Sequence, residues 1–312
     1  MTKFLLLTLA GAACLAQSPG IPELGWIRGQ EPGRYQRVAG VAGAAQMMGQ
    51  EALAAGEVLA MRPGSGMAVV VMEDGAVALA RLDAANQEAA LQRLPGAVEA
   101  PGVAAWSPSG DVLLLAAQQQ LQVWKVEGAE AVLIREIPLA ADSAAVSDGG
   151  GRILARTGGV LYAIGEEGAV AEVSRQAAGA FTFLAGGGRF AWIEGDSLRF
   201  GGGTIGPEAI ELGSAQENVR RMLASAGRAK LLLVEAGENE TRVRLWDSEG
   251  REEGEWVCPA AVDAVRPTGS AGVFHLAVNG AGPVWIADLG AVQPSVFFVP
   301  RSEEPQREGG DQ

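Results

Sequence analysis

Histidine and cysteine are nearly absent from this chain, with one His and two Cys in 312 residues. The lone imidazole, His275, excludes any site built on paired histidines, and with Cys14 and Cys258 alone beside it no histidine- or cysteine-based zinc site can be completed. Placed mid-strand in Val273-Phe274-His275-Leu276-Ala277-Val278, it reads as a packed or surface strand residue. No serine stands in a Gly-x-Ser-x-Gly elbow, which removes that class of hydrolase. No run approaches the roughly 20 apolar residues of a spanning helix. Basic residues are outnumbered, 24 against 37 acids, for a formal net charge of −13. Such a surface repels phosphate backbones, so nucleic acid and anionic membrane are poor partners and no nucleic acid is expected, while a cationic ligand or simple solubility fits.

The first residues carry an export pattern. Lys3 precedes a largely apolar stretch over residues 4–13, and Ala13-Cys14-Leu15-Ala16 offers a small-residue processing site before Gln17. Removal of residues 1–16 takes Lys3 and no acid, leaving a charge of −14 and Cys258 as the only cysteine, so no internal disulfide forms. A secreted or periplasmic location is expected. Cys14 offers a second route, because Ala12-Ala13-Cys14 resembles the end of a bacterial lipobox, with Gly11 where that family has Leu; the alternative is a lipid anchor at Cys14. Residues 17–23 read as a leader, 24–300 as one domain, and the polar, Pro- and Gly-containing 301–312 as a disordered tail.

What is abundant is rhythm. Strand-like runs break at tight turns opened by Arg62, Ser107, Ser147, Ala185, Ser225 and Arg266, at intervals of 45, 40, 38, 40 and 41 residues. A repeat near 40 residues holding several short strands predicts a β-propeller, whose four-stranded blades bury both faces only against their neighbours. Residues 103–138 make the clearest unit, with a period-two third strand Leu121-Gln122-Val123-Trp124-Lys125-Val126. Further third strands are expected at 77–82, 160–164, 198–200, 243–246 and 284–287, with Trp124, Tyr162, Phe200, Trp246 and Trp285 at matching places between blades. The 277 residues of 24–300 hold about 6.8 periods. Seven antiparallel blades are favoured, the first irregular and containing a hairpin of 24–28 with 34–38; six blades with an N-terminal extension is the alternative.

The turn Trp106-Ser107-Pro108-Ser109-Gly110-Asp111 and the third strand after it resemble the blade signature of WD40-like and related bacterial secreted propellers, where an SPDG turn precedes a strand ending in VWD. Arg244-Leu245-Trp246-Asp247 looks like the same ending. The Gly-His dipeptide of WD repeats is missing from every unit, and the resemblance implies architecture alone, carrying over no functional residue.

Gly201-Gly202-Gly203-Thr204-Ile205-Gly206 spells a dinucleotide fingerprint, yet the next segment, Pro207 to Gly213, is too short for the required helix, so no cofactor is expected. Asn239-Glu240-Thr241 spells a glycosylation sequon. Trp26 and Trp256 fall outside the blade register and are the aromatic candidates for ligand stacking. The connections between second and third strands gather acids, Glu73 and Asp74, Glu194 and Asp196, Glu238 and Glu240, which predicts an acidic face for a basic partner, opposite a face bearing Arg62, Arg152, Arg189, Arg228 and Arg266. The function read from these features is a non-catalytic exported scaffold for a protein or polymer partner. The alternative is a propeller enzyme, a lyase or carboxylate-based hydrolase with its site over the central channel.

Overall fold

The computed structural model describes residues 22–29, 34–53, 56–82, 90–117, 119–202, 209–212, 219–278 and 283–301. Most of the expected export segment, leader and tail therefore lies outside the described residues. Seven antiparallel sheets succeed one another along the chain, in strict sequence order within each. The first holds β1 (Glu23–Arg28), β2 (Arg34–Ala39) and β3 (Gln46–Leu53); the second β4 (Glu57–Met61), β5 (Met67–Val71), β6 (Val77–Arg81) and β7 (Ala90–Arg93). The third is β8 (Val103–Trp106), β9 (Val112–Ala117), β10 (Gln120–Glu127) and β11 (Glu130–Ile137); the fourth β12 (Ser143–Val146), β13 (Ile153–Thr157), β14 (Val160–Ile164) and β15 (Val170–Ser174). The fifth is β16 (Ala177–Phe183), β17 (Phe190–Glu194), β18 (Ser197–Gly201) and β19 (Ala209–Glu211). The sixth comprises β20 (Arg220–Ser225), β21 (Leu231–Ala236), β22 (Thr241–Trp246) and β23 (Glu252–Cys258), and the seventh β24 (Val262–Pro267), β25 (Val273–Val278), β26 (Val284–Asp288) and β27 (Ser295–Val299). The seven sheets are the blades of a ring, and the only described helical residues are one 3-10 turn at Asp148–Gly150.

Blade stacking explains the composition. The second strand of each blade is buried on both faces, so β9 and β21 read as unbroken apolar runs, with Leu113, Leu114, Leu115 and Leu231, Leu232, Leu233 all at 0% exposure. Outermost strands have one covered face, and β11 alternates exposed and half-buried along its whole length. Trp124 packs with Val69 and Leu79 of the preceding blade, and Trp246 with Leu184 and Ala191 of its own preceding blade, as expected.

Two expectations need correction in register. The inner turns close by backbone bonds from Arg62 to Met67, Ser107 to Val112, Ser147 to Arg152, Leu184 to Arg189, Ala226 to Lys230 and Thr268 to Val273. The last three openers therefore differ from Ala185, Ser225 and Arg266 by one or two residues. Bulges explain part of the drift: the pairing slips between Ala177 and Phe181 and between Val262 and Ala264, adding residues that a smooth period averages over. The large third-strand residues are likewise not at one level. Trp246 opposes the first residue of its second strand, Leu231, Trp124 the second, Leu113, and Trp285 the fourth, Leu276.

Candidate functional site: a slot in the first blade

The innermost strands β4, β8, β12, β16, β20 and β24 stand side by side around the axis, and β24 comes back directly beside β4. No described strand of blade 1 enters this circle. Its first strand lies against β25, the second strand of blade 7. The direction of β1 explains why: its start is tied to the inner turn of blade 7, where Trp26 N–H donates to the Thr268 carbonyl at 2.7 Å and the Ser270 hydroxyl to the Glu23 carbonyl at 3.0 Å. From there β1 runs away from that turn, as second strands do. Strands β1, β2 and β3 are thus the second, third and fourth strands of a blade whose innermost strand is missing among the described residues. This is the irregularity expected of the first blade.

Beside β1 a slot opens on the central cavity, of about 580 Å³, to which all seven blades contribute. Among the described residues β1 pairs with β2 alone, and its other edge faces the slot. Gly29 N–H closes on the Arg34 carbonyl, so alternation turns the N–H and C=O of Arg28 away from β2 and into that open edge. Arg28, Tyr35, Glu57, Arg266 and His275 line the cavity here. Arg28, Glu57 and Arg266 are exposed, and none makes a side-chain hydrogen bond or ion pair with a described residue. Burial raises the Tyr35 pKa, while Arg28 and Arg266 pull it down and Glu57 pushes it up. Burial also depresses His275, to about 4, with Arg266 and Arg301 adding to the effect. His275 is therefore a neutral imidazole at physiological pH, a hydrogen-bonding group beside two guanidinium groups.

The other turn arginines behave differently. Arg62 donates to the carbonyls of Gly110 (2.6 Å), Val126 (3.1 Å) and Gly128 (3.0 Å) in blade 3 and lies over the Trp106 ring. Arg152 reaches Gly188 and Gly202 in blade 5, and Arg189 reaches Ser248 in blade 6 while stacking on Phe200. These are clamps from one blade to the next. Asp148 does similar work, accepting from Ser109 N–H and Gly186 N–H at 2.8 Å on either side.

The six acids singled out in the sequence do lie at second-to-third connections, in blades 2, 5 and 6. Glu73, Glu238 and Glu240 are exposed. Asp74 is paired with Arg93 at 2.8 Å, Glu194 with Arg199 at 3.1 Å and with the Ser174 hydroxyl, and Asp196 with Arg221 at 3.0 Å. Asp196 ends a chain of charges that runs through Arg221, Glu235 and Arg244 to Glu252. Glu235 and Arg244 were not legible as a pair, since they sit on neighbouring strands whose diagonal register no spacing reveals.

Trp26 is 4% exposed, wedged with Tyr35 against Met61, Ala68 and Leu82, and so offers no open stacking face, while Trp256 is half-buried and folds over Gly254. Gly201 ends β18, and residues 203–206 of the glycine motif lie outside the described residues. Thr241 of the sequon is fully buried, its hydroxyl donating to Ala260 at 2.7 Å. Among the described residues no group of three or more His, Cys, Asp or Glu could hold a metal, and no helix is long and apolar enough to cross a membrane.

No protein-family model matches the chain, and no curated protein does. Among solved structures, it is similar to the β-propeller domain of Cps50 (Swd1) from Myceliophteria thermophila, at 12% identity and a TM-score of 0.53, over 81% of this chain and 89% of that one. The architecture shared with it is that of a β-propeller. A looser likeness, at a TM-score of 0.49, is to Sqt1 of Chaetomium thermophilum bound to the N-terminus of ribosomal protein L10, at 18% identity over 86% of this chain and 79% of that one. At such identities the likeness concerns the fold alone.

Proposed function

We propose that the chain is an exported, non-catalytic interaction scaffold that receives an extended, anionic segment of a protein partner in the slot of blade 1. One observation carries this reading: the open backbone edge of β1 is flanked by Arg28 and Arg266, two exposed guanidinium groups with no partner among the described residues. A backbone edge offers main-chain hydrogen bonds to any extended peptide, and flanking arginines select for carboxylates through charge-assisted, bidentate contacts. Export rests on the pattern of residues 1–16. The rim acids Glu73, Asp74, Glu194, Asp196, Glu238 and Glu240 are proposed as a second contact, for basic groups of the same partner.

A photo-crosslinking amino acid at position 28, installed in the full chain in its own cell, tests the slot. The expected product joins it to an acidic, extended stretch of another protein, and is lost with Arg266→Glu. The same reporter at position 132, on the exposed outer strand of blade 3, yields no such product. Equal products at both positions, or no effect of Arg266→Glu, would reject the slot as the recognition site.

A further inference from the structure

We propose that the end of the central channel opposite the inner turns holds a second binding site, which takes a small organic carboxylate: its acid group on Arg156 and Ser143, its apolar body against Phe181. The site involves neither Arg28 nor Arg266 and stands apart from the proposed function.

The register of the second strands singles out Arg156. The inner turns close on the carbonyls of Met67, Val112, Arg152, Arg189, Lys230 and Val273, and four residues further along each second strand stand Val71, Ala116, Arg156, Ile193, Val234 and Ala277. Five of these are apolar, and Ala116, Ile193 and Val234 are buried. Blade 4 alone of the six places a charge at this level. Alternation sends the Arg156 side chain to the same face as Leu154, which packs against Phe181 and Phe183 of blade 5. Ser143 pairs directly with Arg156 across β12 and β13, so both side chains stand on that face with their Cβ atoms about 4.5–5.5 Å apart.

Two polar atoms at this place lack a partner. Arg156 Nε and Ser143 Oγ are both buried, and neither makes a hydrogen bond with a described residue. A buried polar atom left unpaired is costly, the more so on a charged group, and a ligand that bonds both atoms removes that cost. Both residues line a cavity of about 760 Å³, together with Arg220, Phe181, Leu223 and Val265. Ser143 and Arg220 open their innermost strands, β12 and β20, which places this cavity at the mouth away from the inner turns. Phe181, Leu223 and Val265 also line the channel on its slot side, so the two spaces adjoin at an apolar waist.

The lining sets the class of ligand. Its charged groups are Arg156, Arg220 and Arg221 against Asp196 and Asp263. Arg221 is held by Asp196 and Glu235, and Arg220 donates to the Asp263 carbonyl at 2.8 Å, whereas Arg156 has no ion pair with a described residue. One such guanidinium fork takes one carboxylate through two parallel N–H···O bonds, with the serine hydroxyl as a third donor. Two acids at the same mouth disfavour the double charge of a phosphate. The waist supplies the apolar wall that an aliphatic or aromatic body needs.

The test is fluorine NMR of para-fluorobenzoate in the presence of the full chain. The line should broaden saturably, sharpen when octanoate is added and stay broad with an equal concentration of inorganic phosphate; para-fluorobenzamide, the uncharged counterpart, should not broaden. Ser143→Ala should weaken binding at least about tenfold, the size of one hydrogen bond to a charged group. Arg156→Met should abolish binding without lowering the melting temperature, because it restores the apolar character that this level has in the other blades. No saturable broadening with the parent chain, equal broadening of the benzamide, or undiminished binding to Arg156→Met would overturn the inference. Equal affinity of the parent and Ser143→Ala would do so too, however Arg156→Met folds, and displacement by phosphate as readily as by octanoate would overturn the ligand class. The double variant Arg28→Glu with Arg266→Glu should bind the probe as the parent does; loss of binding there would put the carboxylate in the slot and overturn the second site.

Discussion

The Thr268 hydroxyl donates to the Leu24 carbonyl at 2.6 Å across 244 positions of sequence, at a point with no solvent exposure. This bond joins the last blade to the first. Gly25, beside it, holds φ at +105°, and a Cβ there would sit 2.3 Å from the Thr268 carbonyl oxygen. Thr268→Val keeps the shape but strands a buried carbonyl, so a loss of about 1–3 kcal/mol is expected, while Thr268→Ser retains most of the stability. Gly25→Ala should cost more than Thr268→Val, because the backbone itself must shift. Urea titrations of the three variants check the order; a Thr268→Val chain as stable as the parent contradicts the latch.

Trp124→Ala should cost about 3–5 kcal/mol, the usual range for a large aromatic truncated in a core. Trp124 is 2% exposed between blades 2 and 3. Trp285, half-buried against Phe298, should cost less on the same change. Thermal melts that rank the two the other way would refute the packing assignment.

Glu235→Gln leaves Arg221 and Arg244, both nearly buried, without their shared counter-charge. Breaking such a pair from one side typically costs about 3–5 kcal/mol. Asp196→Asn removes only the half-exposed end of the same chain of charges and should cost about 0–1 kcal/mol. A denaturation midpoint that falls as far for Asp196→Asn as for Glu235→Gln would contradict this ranking.

Acid should destabilise the protein before its carboxylates titrate. His275 has a folded pKa of about 4, below its ordinary value of 6.5. Between those two values the unfolded chain binds a proton that the folded chain does not, so stability falls as pH drops from about 6.5 towards 4, by on the order of 3 kcal/mol in full. Below that window Asp111 and Asp247, whose pKa values are lowered, lose their contributions in turn. His275→Gln should flatten the upper part of the profile; a curve unchanged by that substitution would show that His275 does not drive it.

Legibility in the sequence tracks the physics of each feature. The blades are readable because turn residues such as Ser107-Pro108-Ser109-Gly110 and two-sided apolar runs such as Leu113-Leu114-Leu115 are local signals. The third strands emerge for the same reason. The slot is not readable, since the absence of one strand depends on the direction in which β1 packs against β25, a contact between residues some 250 positions apart. Arg266 stands in the sequence as one of a series of turn arginines; nothing in its spacing separates it from Arg62, which clamps the next blade, whereas Arg266 faces the cavity. His275 is likewise visible as a lone residue, and its neighbours are not.

The clamps have a mechanical meaning. Arg62, Asp148, Arg152 and Arg189 bolt successive blades together from the second to the sixth, and Arg220 reaches the Asp263 carbonyl of the seventh at 2.8 Å. The first blade is held instead by the Thr268 latch on one side and by the wedge of Trp26 and Tyr35 on the other. A ring so fastened has two kinds of joint, charged clamps between most of its blades and a neutral seam of one hydroxyl bond and packed aromatic rings at the first blade.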